Sequence, residues 1–217
     1  MKRVTAALLA VLALSSAVPS LTTAQPRPAA APAGLSAADR ALVAQATASL
    51  QALKNAKGRF VQTDPNGATS RGTFYLQRPG KVRFEYDPAR PLLVVSDGNN
   101  VKIYDRALKT FDQYPLGATP LSLFLAREVR LDRGVVIDRV ERRAGGAFAI
   151  TARDGRKQAE GRIELVFGGA PAQLQEWTVI DPRGQRTRVR LSNLAPVASL
   201  DSKLFVLRDP NQRTGRP

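Results

Sequence analysis

Residues Gly72–Asp105 read GTFYLQRPGKVRFEYDPARPLLVVSDGNNVKIYD. Within this stretch Val82, Phe84 and Tyr86 alternate with Arg83 and Glu85, the period-two pattern of a strand with one apolar face. Arg78-Pro79-Gly80, Tyr86-Asp87-Pro88 and Asp97-Gly98-Asn99 interrupt the alternation with residues that favour turns. Short strands over Gly72–Leu76, Val82–Tyr86, Leu92–Ser96 and Val101–Tyr104 therefore follow one another at hairpin spacing.

The same rhythm extends in both directions. Phe60 lies in a strand-like segment upstream, and Val135–Arg142, Ala147–Ala152, Gly161–Phe167, Leu174–Ile180, Arg186–Leu194 and Leu204–Leu207 read as strands downstream. Ala144-Gly145-Gly146, Asp154-Gly155, Gly168-Gly169 and Asp181-Pro182-Arg183-Gly184 separate them. Parity groups Thr187, Val189 and Leu191 against Arg188, Arg190 and Ser192. It also groups Leu174, Glu176, Thr178 and Ile180 against Gln175, Trp177 and Val179. Roughly ten or eleven short strands at this spacing predict a mainly β protein with one large antiparallel sheet, curved or rolled.

Two helical segments accompany the strands. Ser36 is a cap candidate with Asp39 three residues on and Leu35 ahead of it, and Leu42, Ala46, Leu50 and Leu53 then recur at helical spacing to about Lys54. Thr119-Pro120 predicts a second, short helix to Ala126, with Leu121, Phe124 and Leu125 close to one face. A sheet of this size must hide its greasy face, and the residues leave two solutions open. The sheet is filled by its own side chains with the helices as plugs, or the helices lid an apolar cavity that receives a hydrophobic ligand.

Composition narrows the chemistry. The 217 residues carry a formal net charge of +15 and contain neither Cys nor His. That removes disulfides, most transition-metal sites, thiol chemistry and histidine-based acid–base catalysis. Ser96-Asp97-Gly98 is no nucleophile elbow, and Glu85 and Asp87 read as surface and turn acids rather than a glycosidase pair. The expectation is a protein that is not an enzyme, with no cofactor and no metal. Arginines cluster at Arg130/Arg133, Arg139/Arg142/Arg143 and Arg186/Arg188/Arg190. Few aromatics interleave them, which argues against single-stranded nucleic acid. A positive field suits an anionic membrane surface or an acidic protein, and a solvated surface explains the arginines equally well.

The N-terminus reads as an export signal. Lys2 and Arg3 precede the apolar run Ala6–Val18, and Thr22 and Ala24 sit where a signal peptidase requires small residues. Residues 1–24 are expected to be a signal peptide cleaved before Gln25, 25–34 a flexible Pro/Ala-rich segment, 35–210 one domain and 211–217 a flexible tail. The expected location is the periplasm.

The ordered run of motifs resembles the periplasmic outer-membrane lipoprotein carrier family, LolA. The resemblance begins at Leu53–Thr63, LKNAKGRFVQT, and continues through Gly72–Leu76, Arg78-Pro79, Val82–Tyr86, Val95-Ser96-Asp97-Gly98, Tyr104-Asp105 and the Thr119-Pro120 helix start. Leu174–Ile180, Arg186–Leu194 and Asp201–Leu207 follow in the family's order.

That resemblance implies a strongly curved antiparallel sheet, an incomplete β-barrel, covered by helices. It implies a monomeric carrier without catalytic activity that shields the acyl chains of outer-membrane lipoproteins. Such a carrier takes them from an inner-membrane ATP-driven release complex, passes close to membranes, and hands them to an outer-membrane receptor. Phe74, Leu76, Val82, Phe84, Tyr86, Leu93, Val95, Val101 and Ile103 are the candidate cavity lining; parity sets relative faces within each strand, and the choice of the inner face rests on the resemblance. Arg78 matches the family arginine before proline and is the candidate for lid control and transfer, together with Leu121, Phe124 and Leu125. Two alternatives stay open: a carrier-like paralogue for another lipid, and a basic module that docks proteins.

Overall fold

The computed structural model describes residues 34–156 and 161–211. The expected signal peptide, the Pro/Ala-rich segment up to Ala33 and the tail beyond Asn211 lie outside the described residues.

Among the described residues eleven antiparallel strands form one unclosed, curved sheet. In chain order they are β1 (Asn55–Thr63), β2 (Thr69–Gln77), β3 (Lys81–Tyr86), β4 (Leu92–Asp97), β5 (Asn100–Asp105) and β6 (Thr110–Pro115). Then follow β7 (Val135–Arg142), β8 (Phe148–Asp154), β9 (Arg162–Gly168), β10 (Gln173–Ile180) and β11 (Arg186–Pro196). Spatially the order is β6-β5-β4-β3-β2-β1-β11-β10-β9-β8-β7. Each half is a meander of hairpins, and the β1–β11 pair joins the halves at the middle. A mainly β fold with few short helices is therefore what the chain adopts, as the alternation predicts.

Helix α1 (Ala37–Ala52) crosses the inner face. Ser36 caps it, its side chain accepting from the Asp39 backbone N–H at 3.1 Å. Val43, Ala46 and Leu50 form its buried stripe, so Val43 takes the deep position expected of Leu42, which is only half-buried. Helix α2 is one turn, Ser122–Leu125, shorter than the expected 120–126. Thr119 does not cap it, because its hydroxyl donates back to the Leu116 carbonyl at 2.8 Å.

Three further expectations are corrected. Leu204–Leu207 is no strand; Ser202–Phe205 is a 3-10 turn capped by Asp201, and it packs on the outer face of the sheet. Strand β6 has no counterpart in the alternation of the sequence: it is an edge strand exposed along most of its length, so it has no apolar side to produce the pattern. Leu174 shares the inner face with Trp177 because a bulge between Leu174 and Glu176 shifts the phase of β10.

The core occupies the concave side. Phe60, Phe74, Leu76, Val82, Phe84, Tyr86, Val101, Trp177, Val189 and Leu191 contribute from the sheet, and Val43, Ala46, Leu50, Phe124 and Leu125 from the helices. A Cβ on Gly72 would lie 2.7 Å from the Phe60 ring. Glycine at that position lets Phe60 lie across β2 onto the rings of Phe84 and Tyr86.

Candidate functional site

Register decides which candidate residues meet. Phe74 opposes Phe84, Leu76 opposes Val82 and Gly72 opposes Tyr86, and directly opposed residues share a face. On the other side of β3, Val82 opposes Ser96 and Phe84 opposes Val94. Val94 in turn opposes Ile103, and Ser96 opposes Val101. Phe74, Leu76, Val82, Phe84, Tyr86, Val101 and Ile103 thus converge on the interior.

Leu93 and Val95 do not. They oppose Glu85 and Arg83 on the outer face, in a separate cluster with Phe205, Tyr75, Leu200, Leu204 and Leu207. Their expected place in the interior lining is corrected. The run Leu92-Leu93-Val94-Val95 is apolar on both faces because the C-terminal segment covers its outer side, so parity has nothing to choose between.

Aromatic rings fill the middle of the interior. Phe60 meets Phe84 and Tyr86 edge-on, with centroids 5.3 and 4.9 Å apart. Phe74 and Phe84 are 5.1 Å apart, and each lies 5.9 Å from Trp177. Phe124 of α2 sits 5.4 Å from Trp177 on the helix side. The short helix therefore rests on the sheet through one ring pair, with Leu125 fully buried beside it. Trp177 is a central residue whose side the bulged phase of β10 hides from parity.

A polar end faces away from α2. The Tyr86 hydroxyl donates to Gln62 Oε1 at 2.6 Å, and burial pushes its pKa up to about 12. Arg90 pairs with Asp64 at 2.7 Å and donates to Ser70 Oγ at 3.0 Å. At Asp64, burial opposes ionisation, but the hydrogen bonds from Gln62 and Arg90 outweigh it and hold the carboxyl below its ordinary value.

Arg78 occupies the opposite end, in the turn between β2 and β3. Its Nε donates to the Leu53 carbonyl at 2.9 Å, just past the end of α1. Its Nη1 donates to the Ala126 carbonyl at 3.3 Å, just past the end of α2. The side chain thus bridges the C-terminal ends of both helices, where carbonyls lack helical partners and, at α1, the helix dipole favours a cation. Two residues on, the Gly80 N–H donates to the Leu125 carbonyl at 2.8 Å. Burial pushes the Arg78 pKa down to about 10, which leaves it cationic at neutral pH. Its Nη2 is buried without a hydrogen-bond partner.

Beside the Arg78 hydrogen bonds an apolar groove of about 380 Å³ opens between α1 and the ends of β10 and β11. Ala48, Ala52, Leu53, Ala172, Leu174 and Leu194 are among its walls. Leu53 lines the groove and also accepts the Arg78 Nε hydrogen bond. Small side chains on the exposed flank of α1 were the available signal for this groove, and composition alone gives them no meaning. Among the described residues no three metal-ligating side chains gather, and no helix is long and apolar enough to cross a membrane.

Residues 51–208, which span every strand and α2, match the family described as Outer membrane lipoprotein carrier protein LolA. The chain belongs to the LolA family. The curated outer-membrane lipoprotein carrier protein of Methylococcus capsulatus is 33% identical over 146 residues, covering 65% of this chain and 68% of that protein. Its counterpart in Bordetella bronchiseptica is 34% identical over 168 residues, covering 67% and 72% respectively. The match takes in Arg78 and the aromatic interior of this LolA-family sheet. The outer face is strongly basic. Glu164 bridges Arg143 and Arg186 at 2.7 and 2.9 Å and Glu176 pairs with Arg190 at 3.1 Å, while Arg71 and Arg188 have no ion-pair partner among the described residues.

Proposed function

We propose that this chain carries the acyl chains of outer-membrane lipoproteins through the periplasm, with a closed empty form and an open loaded form. The observation that carries this reading is the lid: α2 lies over an aromatic interior through the Phe124–Trp177 contact and is tied down by Arg78. The family supplies the cargo class, and its relatives' role as lipoprotein carriers accords with an interior of this composition.

The energetics fit a carrier that must let go. Burying a methylene is worth about 0.8 kcal/mol, so long acyl chains held in a rigid apolar cavity would not leave. Here the interior is occupied by the protein's own rings. Cargo must displace Phe124 and its neighbours, and reclosure restores their contacts and the Arg78 hydrogen bonds. Net affinity is the difference between the two. No nucleotide is needed on the chain itself; the ATP-driven step belongs to the inner-membrane release complex, and the outer-membrane receptor draws the cargo onward. The α1 groove beside the latch serves as the mouth through which the first acyl chain enters.

Trp177 is the single tryptophan and lies beneath the lid, which gives a direct test. Adding a triacylated lipoprotein to the purified chain should change its fluorescence saturably, whereas the same lipoprotein without acyl chains should leave it unchanged. Equal responses to both would overturn the reading. A saturable response to another lipid with none to the lipoprotein would redirect the cargo to that lipid.

A further inference from the structure

Ser96 is fully buried on the inner face of β4, opposite Val82 and Val101, and its hydroxyl is bonded to backbone. Its Oγ donates to the Gly80 carbonyl at 2.6 Å and accepts from the Gly98 N–H at 3.4 Å. The two turns it joins are in close contact: a Cβ on Gly80 would lie 2.6 Å from the Gly98 Cα. Both glycines also have positive φ, 73° and 105°, a region that side chains disfavour. The turn after β2 and the turn after β4 are thus docked backbone to backbone, with the Ser96 hydroxyl between them.

Each turn holds one end of the lid segment Leu116–Ala126. The Leu116 N–H donates to the Asn99 carbonyl at 2.8 Å, at the tip of the second turn. The Gly80 N–H donates to the Leu125 carbonyl at 2.8 Å, from the first turn. Asp97 stiffens the second turn from within, its Oδ1 accepting from the Asn99 and Asn100 N–H groups at 2.9 Å each. The start and the end of the lid segment are therefore anchored to two turns that Ser96 fastens together.

We propose that Ser96 is a positioning residue that couples the two anchors, so that both ends of the lid segment release as one unit. The proposal rests on the lid reading above and adds a coupling that Arg78 cannot supply, because Arg78 touches only the far end of the segment. Loss of the hydroxyl leaves the buried Gly80 carbonyl without this donor and lets the turns separate, loosening Gly80–Leu125 and Asn99–Leu116 together. The carbonyl's own turn moves first, and the second anchor follows because the Gly80–Gly98 contact is lost.

Amide hydrogen exchange on the mature chain tests this. In Ser96→Ala the Gly80 and Leu116 amides should exchange roughly tenfold faster, while the β1–β11 amides change by less than about twofold on the same scale. Acceleration of only one of the two, or an equal acceleration throughout the sheet, would overturn the proposal. Should S96A not fold, exchange of the wild-type chain in rising denaturant serves instead. Gly80 and Leu116 should then share one opening with a shallower denaturant dependence than the β1–β11 amides, and two unrelated openings would overturn the coupling. Failure of this inference is distinguishable from failure of the lid reading. Linked exchange with normal cargo delivery by Arg78→Leu would keep Ser96 and remove the latch; unlinked exchange with failed delivery would do the reverse.

Discussion

The guanidinium of Arg78 joins the ends of two helices that do not touch it in sequence: its Nη1 lies 3.3 Å from the Ala126 carbonyl oxygen while its Nε lies 2.9 Å from that of Leu53. A single side chain therefore holds both pieces of the helical cover to one sheet turn. In the proposed carrier these two charge-assisted hydrogen bonds would favour closure and would be few enough for a competing apolar cargo to break.

Removal of that bridge should separate loading from delivery. Arg78→Leu should lower stability by about 1–3 kcal/mol, still accept acylated lipoprotein, and fail to pass it to an acceptor, because reclosure no longer offsets the loss of buried acyl surface. Transfer to a purified receptor, measured against wild type, checks this. Normal delivery by R78L would take Arg78 out of the mechanism.

The two faces of the sheet should answer differently to substitution. Phe84 packs against three aromatic side chains of the interior, Phe60, Phe74 and Trp177, so Phe84→Ala should cost about 3–5 kcal/mol, and under the proposed function a folded Phe84→Asp should lose lipid loading because it puts a charge on the proposed acyl-chain path. Leu93→Ala on the outer face should cost about 2–5 kcal/mol with loading unchanged. Thermal melts and a loading assay on the same preparations decide it; loss of loading in folded L93A would return that residue to the interior.

The lid can be locked without interference, since the chain has no cysteine of its own. A disulfide engineered between α2 and the sheet should block loading when oxidised and restore it when reduced. Full loading by protein shown to be crosslinked would exclude motion of α2 as a required step.

Acid should act at the polar end of the interior. The Asp64 carboxyl is held below its ordinary value of 3.8. Its contribution to stability is therefore complete above that value and is lost as pH falls through the lower folded-state value. The stability difference between wild type and Asp64→Asn should be constant near neutrality and shrink below about pH 3.8. Denaturant melts across that range check it, and a difference independent of pH would contradict the assignment.

Much of this was legible in the chain. Alternation at Val82–Tyr86 and the Gly- and Pro-marked turns lead straight to the antiparallel meander, because a sheet with one covered face imposes period two on its residues. Only family likeness singles out the Arg78-Pro79 pair, since the partners of Arg78 are backbone carbonyls that no side-chain pattern reveals. Trp177 and Leu174 were obscured by one inserted residue in β10, which reverses parity for half a strand. Leu93 and Val95 escape a parity reading because the segment Leu200–Leu207 makes that strand apolar on both sides, and such cover comes from more than a hundred residues away. Edge strand β6 left no trace because neither of its faces is buried along its length.

The central claim is that acyl chains of lipoproteins are the cargo. Its most direct test is to isolate the chain from the envelope of the cells that make it, without detergent or solvent that would strip bound lipid, and to identify what co-purifies by mass spectrometry. Triacylated lipoprotein bound at a reproducible stoichiometry, and lost on Phe84→Asp, is the result this account predicts. Reproducible recovery of a different lipid, or of no lipid from cells whose lipoprotein release is blocked at the receptor step, would contradict it.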